Sequence, residues 1–70
     1  MMPLTLANIG ESIMIRKVGG NADVRAHLET LGFVPGENVT IIATIGGNLI
    51  VNVKESRIAI SKEMASKIMV

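Results

Sequence analysis

The sequence predicts a mainly β fold: a small, partly open barrel of about five strands, with one helix inserted after the first long strand and a short helix before the last. Three observations carry this expectation. Short segments of branched apolar residues recur along the chain and are separated by glycine, proline and asparagine. Val24, Leu28 and Leu31 recur at i, i+4 and i+7, the period of a helix with one buried face. Two alternating runs, "NVTIIAT" and "NLIVNV", flank "IGG", which is a hairpin signal. Strands joined by tight turns around a single helix close most simply as a barrel.

Each element has a local cause. "SIMIRKV" (Ser12–Val18) is rich in branched apolar residues and follows the Gly10 turn, so it reads as one strand. Gly19-Gly20 ends it. Asn21 is a good N-cap for a helix starting at Ala22, and Asp23 suits its first turn. Gly32 stands where a helix ends on a positive φ, and Pro35-Gly36 prevents the helix from resuming. A three-residue hairpin loop, Ile45-Gly46-Gly47 with Gly47 left-handed, sets Ala43 opposite Leu49, Ile41 opposite Val51 and Val39 opposite Val53. A two-residue Gly46-Gly47 loop would scramble the apolar stripe by setting Asn52 against Ile41, so the longer loop is preferred. Lys54-Glu55-Ser56 is read as a turn and "RIAI" (Arg57–Ile60) as a short strand. Ser61 caps a helix of one or two turns through Lys67, packing on Met64, Ala65 and Ile68, and "IMV" ends the chain as a strand.

Composition bounds the function. Seventy residues are one small domain, able to bury only about 60% of its unfolded surface. With no cysteine there is no disulfide, zinc-thiolate site or thiol nucleophile, so stability rests on aliphatic packing, for which 49% hydrophobic content is ample. The longest uncharged stretch, Asn38 to Val53, is interrupted by threonine, glycine and asparagine and falls short of the ~20 apolar residues of a membrane helix. "MMPLTLANIGE" lacks the basic start and cleavage site of a signal peptide, so a soluble cytoplasmic protein without membrane insertion is expected. A net charge of +1 with mixed signs steers neither nucleic acid nor an anionic membrane strongly.

The order of pieces resembles the FeoA family over essentially the whole chain, from Leu6 to Val70. The most specific stretch is Leu28…Leu31-Gly32-Phe33-Val34-Pro35-Gly36 before an alternating strand. Arg57-Ile58-Ala59-Ile60, Glu63-Met64-Ala65 and the terminal Ile68-x-Val70 follow in order. The resemblance implies an SH3-like barrel and a small cytosolic accessory protein of bacterial ferrous iron transport, with the FeoB membrane permease as its partner. Glu55 stands at a turn where many relatives have glycine, which leaves the subfamily open. An orphan copy of the SH3-like domain of metal-dependent repressors is an alternative reading. An RNA-binding SH3-like barrel is another, because "PGENVTI" resembles the glycine-led strand of ribosomal domains. Against it stand the weak charge and the single aromatic residue, since RNA binding rests on cationic surface and stacking.

No residue set points to an enzyme. There is no phosphate-binding glycine motif, and no serine has a histidine-plus-carboxylate context. His27, the only histidine, is the one candidate metal ligand. It lacks a second ligand at i+4, so it is read as structural; no cofactor is expected and Fe2+ association finds no ligand constellation. Phe33, the only aromatic, is expected to plug the corner where the helix meets the barrel. The partner-binding candidates are Ile42, Ile45 and Ile50. With Val39, Ile41, Leu49, Val51 and Val53 inward, Ile42 and Ile50 are expected side by side on the outer face, with Ile45 at the loop. Such a ridge is open to solvent or covered by the protein's own helix. The chain is expected to act as a monomer.

Overall fold

The computed structural model describes residues 1–70. After a 3₁₀ turn at Leu4–Leu6 come β1 (Ser12–Met14), β2 (Lys17–Val18), α1 (Ala22–Thr30), β3 (Asn38–Ile45), β4 (Asn48–Val53), β5 (Ser56–Ser61), α2 (Lys62–Ala65) and β6 (Ile68–Met69). An antiparallel sheet runs in the order β1-β3-β4-β5, and β2 pairs with β6 in a second, two-stranded sheet. The fold is mainly β, a small barrel whose two sheets remain open to each other.

The expected long first strand is two strands, because the chain changes sheets in its middle. The Ile15 N–H donates to the Glu37 C=O at 2.8 Å, and the next N–H, of Arg16, donates to the Met69 C=O at 2.8 Å. Ile15 is fully buried at this corner. A strand that bends from one sheet into the next is how a small barrel turns its corner.

Helix α1 begins and ends as its sequence predicts. The Asn21 side chain accepts from the Val24 N–H at 2.9 Å, leaving one fewer unsatisfied donor in the first turn. Leu28 is buried, while Val24 and Leu31 pack against the core. Gly32 has φ +106; its N–H donates to the Glu29 C=O at 2.9 Å, and the Phe33 N–H to the Leu28 C=O at 2.9 Å. This pair of bonds is a Schellman motif, in which a residue without Cβ resists no left-handed turn. Phe33, 1% exposed, is the largest fully buried side chain.

The hairpin differs from expectation. Its loop is the two-residue Gly46-Gly47, with Ile45 paired to Asn48 and Gly46 at φ +59. The positive φ at the first central position is that of a type II′ turn. Thr44 therefore faces Leu49 and Ala43 faces Ile50, instead of Ala43 facing Leu49. A bulge at Ile42 then inserts one extra residue, which returns Ile41 to Val51 and Val39 to Val53. The short loop keeps the apolar stripe because the bulge absorbs the one-residue slip that would otherwise flip it.

The next turn is also shorter than read. Lys54 (φ +48) and Glu55 (φ +64) alone make it, and Ser56 already pairs with Val53 in β5. In α2 the Ser61 Oγ accepts from the Met64 N–H at 3.2 Å. The helix stops at Ala65 rather than Lys67, because the Lys67 C=O accepts from the Gly19 N–H at 2.7 Å and ties the chain to β2. The start of the chain, which carried no structural expectation, adds a strand-like contact beside β6. Met2 and Val70 exchange N–H to C=O bonds of 3.0 and 2.8 Å, and Leu4 is fully buried. The core is built from the 3₁₀ turn, both helices, β3 to β6 and the connecting residues Ile15, Phe33 and Val70: Leu4, Ile15, Leu28, Phe33, Val39, Ile41, Leu49, Val51, Val53, Ile60, Ala65, Ile68 and Val70.

Candidate partner-binding surface

Strand alternation separates the two faces of β3, β4 and β5. Leu49, Val51 and Val53 of β4 point into the core, so Ile50 and Asn52 point out. Ile50 lies between Ala43 of β3 and Ala59 of β5. The expected Ile42–Ile50 cross-strand pair does not form, because Ile42 is the unpaired bulge residue. Ile45, two residues beyond Ala43 on the same face, is 63% exposed. Ile42 and Ile50 are half-buried, and neither is among the residues packed against the core. Ile45 and Ile50 thus share the outer side of the hairpin, with Ala43 and Ala59 around Ile50 as small apolar neighbours, and Ile42 stands at the bulge between inward Ile41 and outward Ala43. Ala43, expected opposite Leu49 on the inner stripe, is turned outward to Ile50 by the shorter loop, and strand alternation from Ile60 places Ala59 on the same outer face.

One further exposed apolar residue borders β3. Ile9 is 61% exposed, and the N–H of the next residue, Gly10, donates to the Ile41 C=O at 2.8 Å, so Ile9 borders β3 beside the bulge. Leu6, at the end of the 3₁₀ turn, is also largely exposed.

His27 sits on the exposed side of α1, and no group of three or more histidine, cysteine, aspartate or glutamate side chains is placed to hold a metal ion. The side-chain hydrogen bonds are local to caps and turns, and none engages an arginine or lysine. No buried side-chain polar atom lacks a partner. Charged side chains do converge at one place: Arg16, Lys17, Arg25 and Glu29 line a cleft of about 270 Å³ beside Phe33 and Pro35. Of the two clefts, one of about 540 Å³ is lined mainly by apolar residues, Met1, Met2, Ile13, Met14 and Val70, with Arg16. No helix is long and apolar enough to cross a membrane.

Residues 2–70 match the FeoA domain family. The chain belongs to the FeoA family. It is 33% identical over 70 residues to the candidate Fe(2+) transport protein A of Methanocaldococcus jannaschii, covering all of this chain and 85% of that one. Its backbone is similar to the crystal structure of an iron uptake regulatory protein, FeoA, with TM-score 0.86 and 25% identity over 96% of this chain and 89% of the other. It is similar also to zinc-complexed FeoA of Stenotrophomonas maltophilia, with TM-score 0.80 and 27% identity over 99% and 88% of the two chains. That protein is described as a prokaryotic SH3-domain protein and a candidate activating factor of ferrous iron transport. The SH3-like barrel expected from the sequence is thus the fold of this FeoA chain.

Proposed function

We propose that this FeoA protein is a non-enzymatic accessory factor of ferrous iron uptake that works in the cytosol by binding the FeoB permease. Family membership supports the pathway. What supports the mode of action is the apolar group at the β3–β4 hairpin, where Ile45 is exposed and Ile42 and Ile50 are half-buried beside it. Apolar residues held outward on paired strands gain little from the core and are available to a protein partner.

Ile50→Lys tests this reading. Its side chain lies outside the core, so the melting temperature should stay within a few degrees of wild type. Association with the permease and ferrous iron uptake in cells should fall together. Uptake at the wild-type level by a folded Ile50→Lys protein would move the contact surface elsewhere, most directly to the exposed side of α1.

A further inference from the structure

Strand β5 is an edge that nothing in the protein covers. The Lys62 N–H donates to the Gly47 C=O at 3.0 Å, which fixes the alternation of the β4–β5 ladder. Stepping back two residues at a time, Ile60, Ile58 and Ser56 exchange bonds with Leu49, Val51 and Val53. Arg57, Ala59 and Ser61 therefore direct their N–H and C=O groups away from β4. No turn or loop bond reaches Arg57 or Ala59, and both are exposed, whereas the Ser61 C=O, at the N-cap of α2, opens that helix. The opposite edge, β1, is three residues long and is closed off at once by the bond from Arg16 to Met69. Six-residue β5 has no proline or bulge, and Arg57 near its start is its one charged side chain among the devices that blunt an edge against pairing.

The side chains of this edge read nearly the same in both directions about Ala59. Ile58 and Ile60 flank it, then Arg57 and Ser61. We propose that the free edge of β5 pairs antiparallel with β5 of a second copy of this chain, about a two-fold axis at Ala59. In that register Ala59 meets its own counterpart and Arg57 faces Ser61. Ile58, still half-buried, faces Ile60 on the inner side. Within the strand no like charges oppose each other, although Glu55 and Glu63 approach at its two ends, whereas a register centred on Arg57 would set two guanidiniums face to face. The two sheets become one of eight strands, and the outer row runs Ile50, Ala59, Ala59, Ile50 across the axis. Edge pairing alone lies below the ~1,200 Å² of a stable interface. The dimer is accordingly weak, and dilute protein is the expected monomer. This inference does not depend on the iron-transport reading.

Sedimentation equilibrium tests it. The mass-average of the wild type should climb toward twice the chain mass between about 10 µM and about 1 mM, the range of a weak complex. Ala59→Pro removes an N–H that has no internal partner, a substitution an edge strand tolerates; it should fold and stay monomeric. Should it fail to fold, Ala59→Lys serves instead, because it opposes two ammonium groups on the exposed face. Ala59→Cys introduces the only cysteine and places it opposite itself, with Cα atoms about 5.5 Å apart, inside the disulfide range. Mild oxidation should cross-link it far faster than Ser56→Cys, which the register holds about 20 Å from its counterpart. Wild type that remains monomeric at the highest concentration overturns the proposal, as do equal cross-linking of the two cysteine variants or undiminished dimerisation of the folded position-59 variant. Monomeric wild type whose permease binding is lost on Ala59→Pro would instead assign the edge to a partner's strand.

Discussion

Phe33→Ala should nearly unfold the protein. The ring is 1% exposed and is the largest side chain in the core, so truncation forfeits almost all of its packing. The cavity cannot collapse easily. Backbone bonds from Gly32 to Glu29 and from Phe33 to Leu28 pin the corner on the helix side. On the other side, a Cβ added at Gly32 would lie 3.6 Å from a Val53 methyl, so the end of β4 already touches the helix terminus. Removal of a buried phenylalanine costs about 3–5 kcal/mol, and a pinned site belongs toward the upper end. A chain of this length has about 4–10 kcal/mol of stability in all. At about 4–8 °C per kcal/mol for a small domain, the melting temperature should drop by about 15 °C or more. The chain has no tryptophan or tyrosine, so far-UV circular dichroism is the suitable probe. Phe33→Leu, which keeps most of the volume, should lose much less. If Phe33→Ala melts within about 5 °C of wild type, the ring does not hold this corner and the account of the α1–barrel joint is wrong.

Two more outcomes follow from local geometry. Glu55 holds φ +64, a conformation costing a residue with Cβ about 1–2 kcal/mol. Glycine avoids that cost and loses about 0.5–1 kcal/mol of chain entropy, so Glu55→Gly should raise the melting temperature by a few degrees; a clear fall would show that the Glu55 side chain stabilises the turn. Anaerobic titration with Fe2+ should give no saturable heat in the micromolar range, because His27 is exposed and without converging ligands. A stoichiometric event abolished by His27→Ala would make that histidine a ligand.

The parts of the fold that were legible in the sequence are those set by local chemistry. Asn21 and Ser61 cap helices because their side-chain oxygens reach an N–H three residues on, and that preference is independent of the rest of the chain. Gly32 and Phe33 announce a Schellman end for the same reason. The inward set of the hairpin was legible because alternation with period two follows from strand geometry. The break at Ile15–Arg16 was not legible: every residue of "SIMIRKV" suits a strand, and only the presence of two sheets decides where the chain leaves one for the other. The burial of Leu4 was hidden likewise, since it depends on Met2 meeting Val70 from the far end of the sequence.

The bulge at Ile42 joins these two kinds of information. Local turn chemistry prefers a two-residue Gly-Gly loop, while burial demands that Val39 and Ile41 stay inward opposite Val53 and Val51. Those demands differ by one residue, and regular pairing satisfies only one of them. Lengthening the loop, as the sequence reading expected, would satisfy burial by giving up the tight turn. The protein keeps both by placing the extra residue inside β3 instead. The cost falls on Ile42, which loses its cross-strand partner. The consequence falls on the surface: Ile50 meets Ala43 rather than another isoleucine, so it stands between two small neighbours, Ala43 and Ala59. A branched side chain flanked by alanines projects beyond them, whereas two paired isoleucines would screen each other. The same irregularity that completes the core therefore sets Ile50 half-buried on the outer face between two alanines, and Ile50→Lys, rather than a change at Ile42, is the substitution that tests whether partner binding and folding separate.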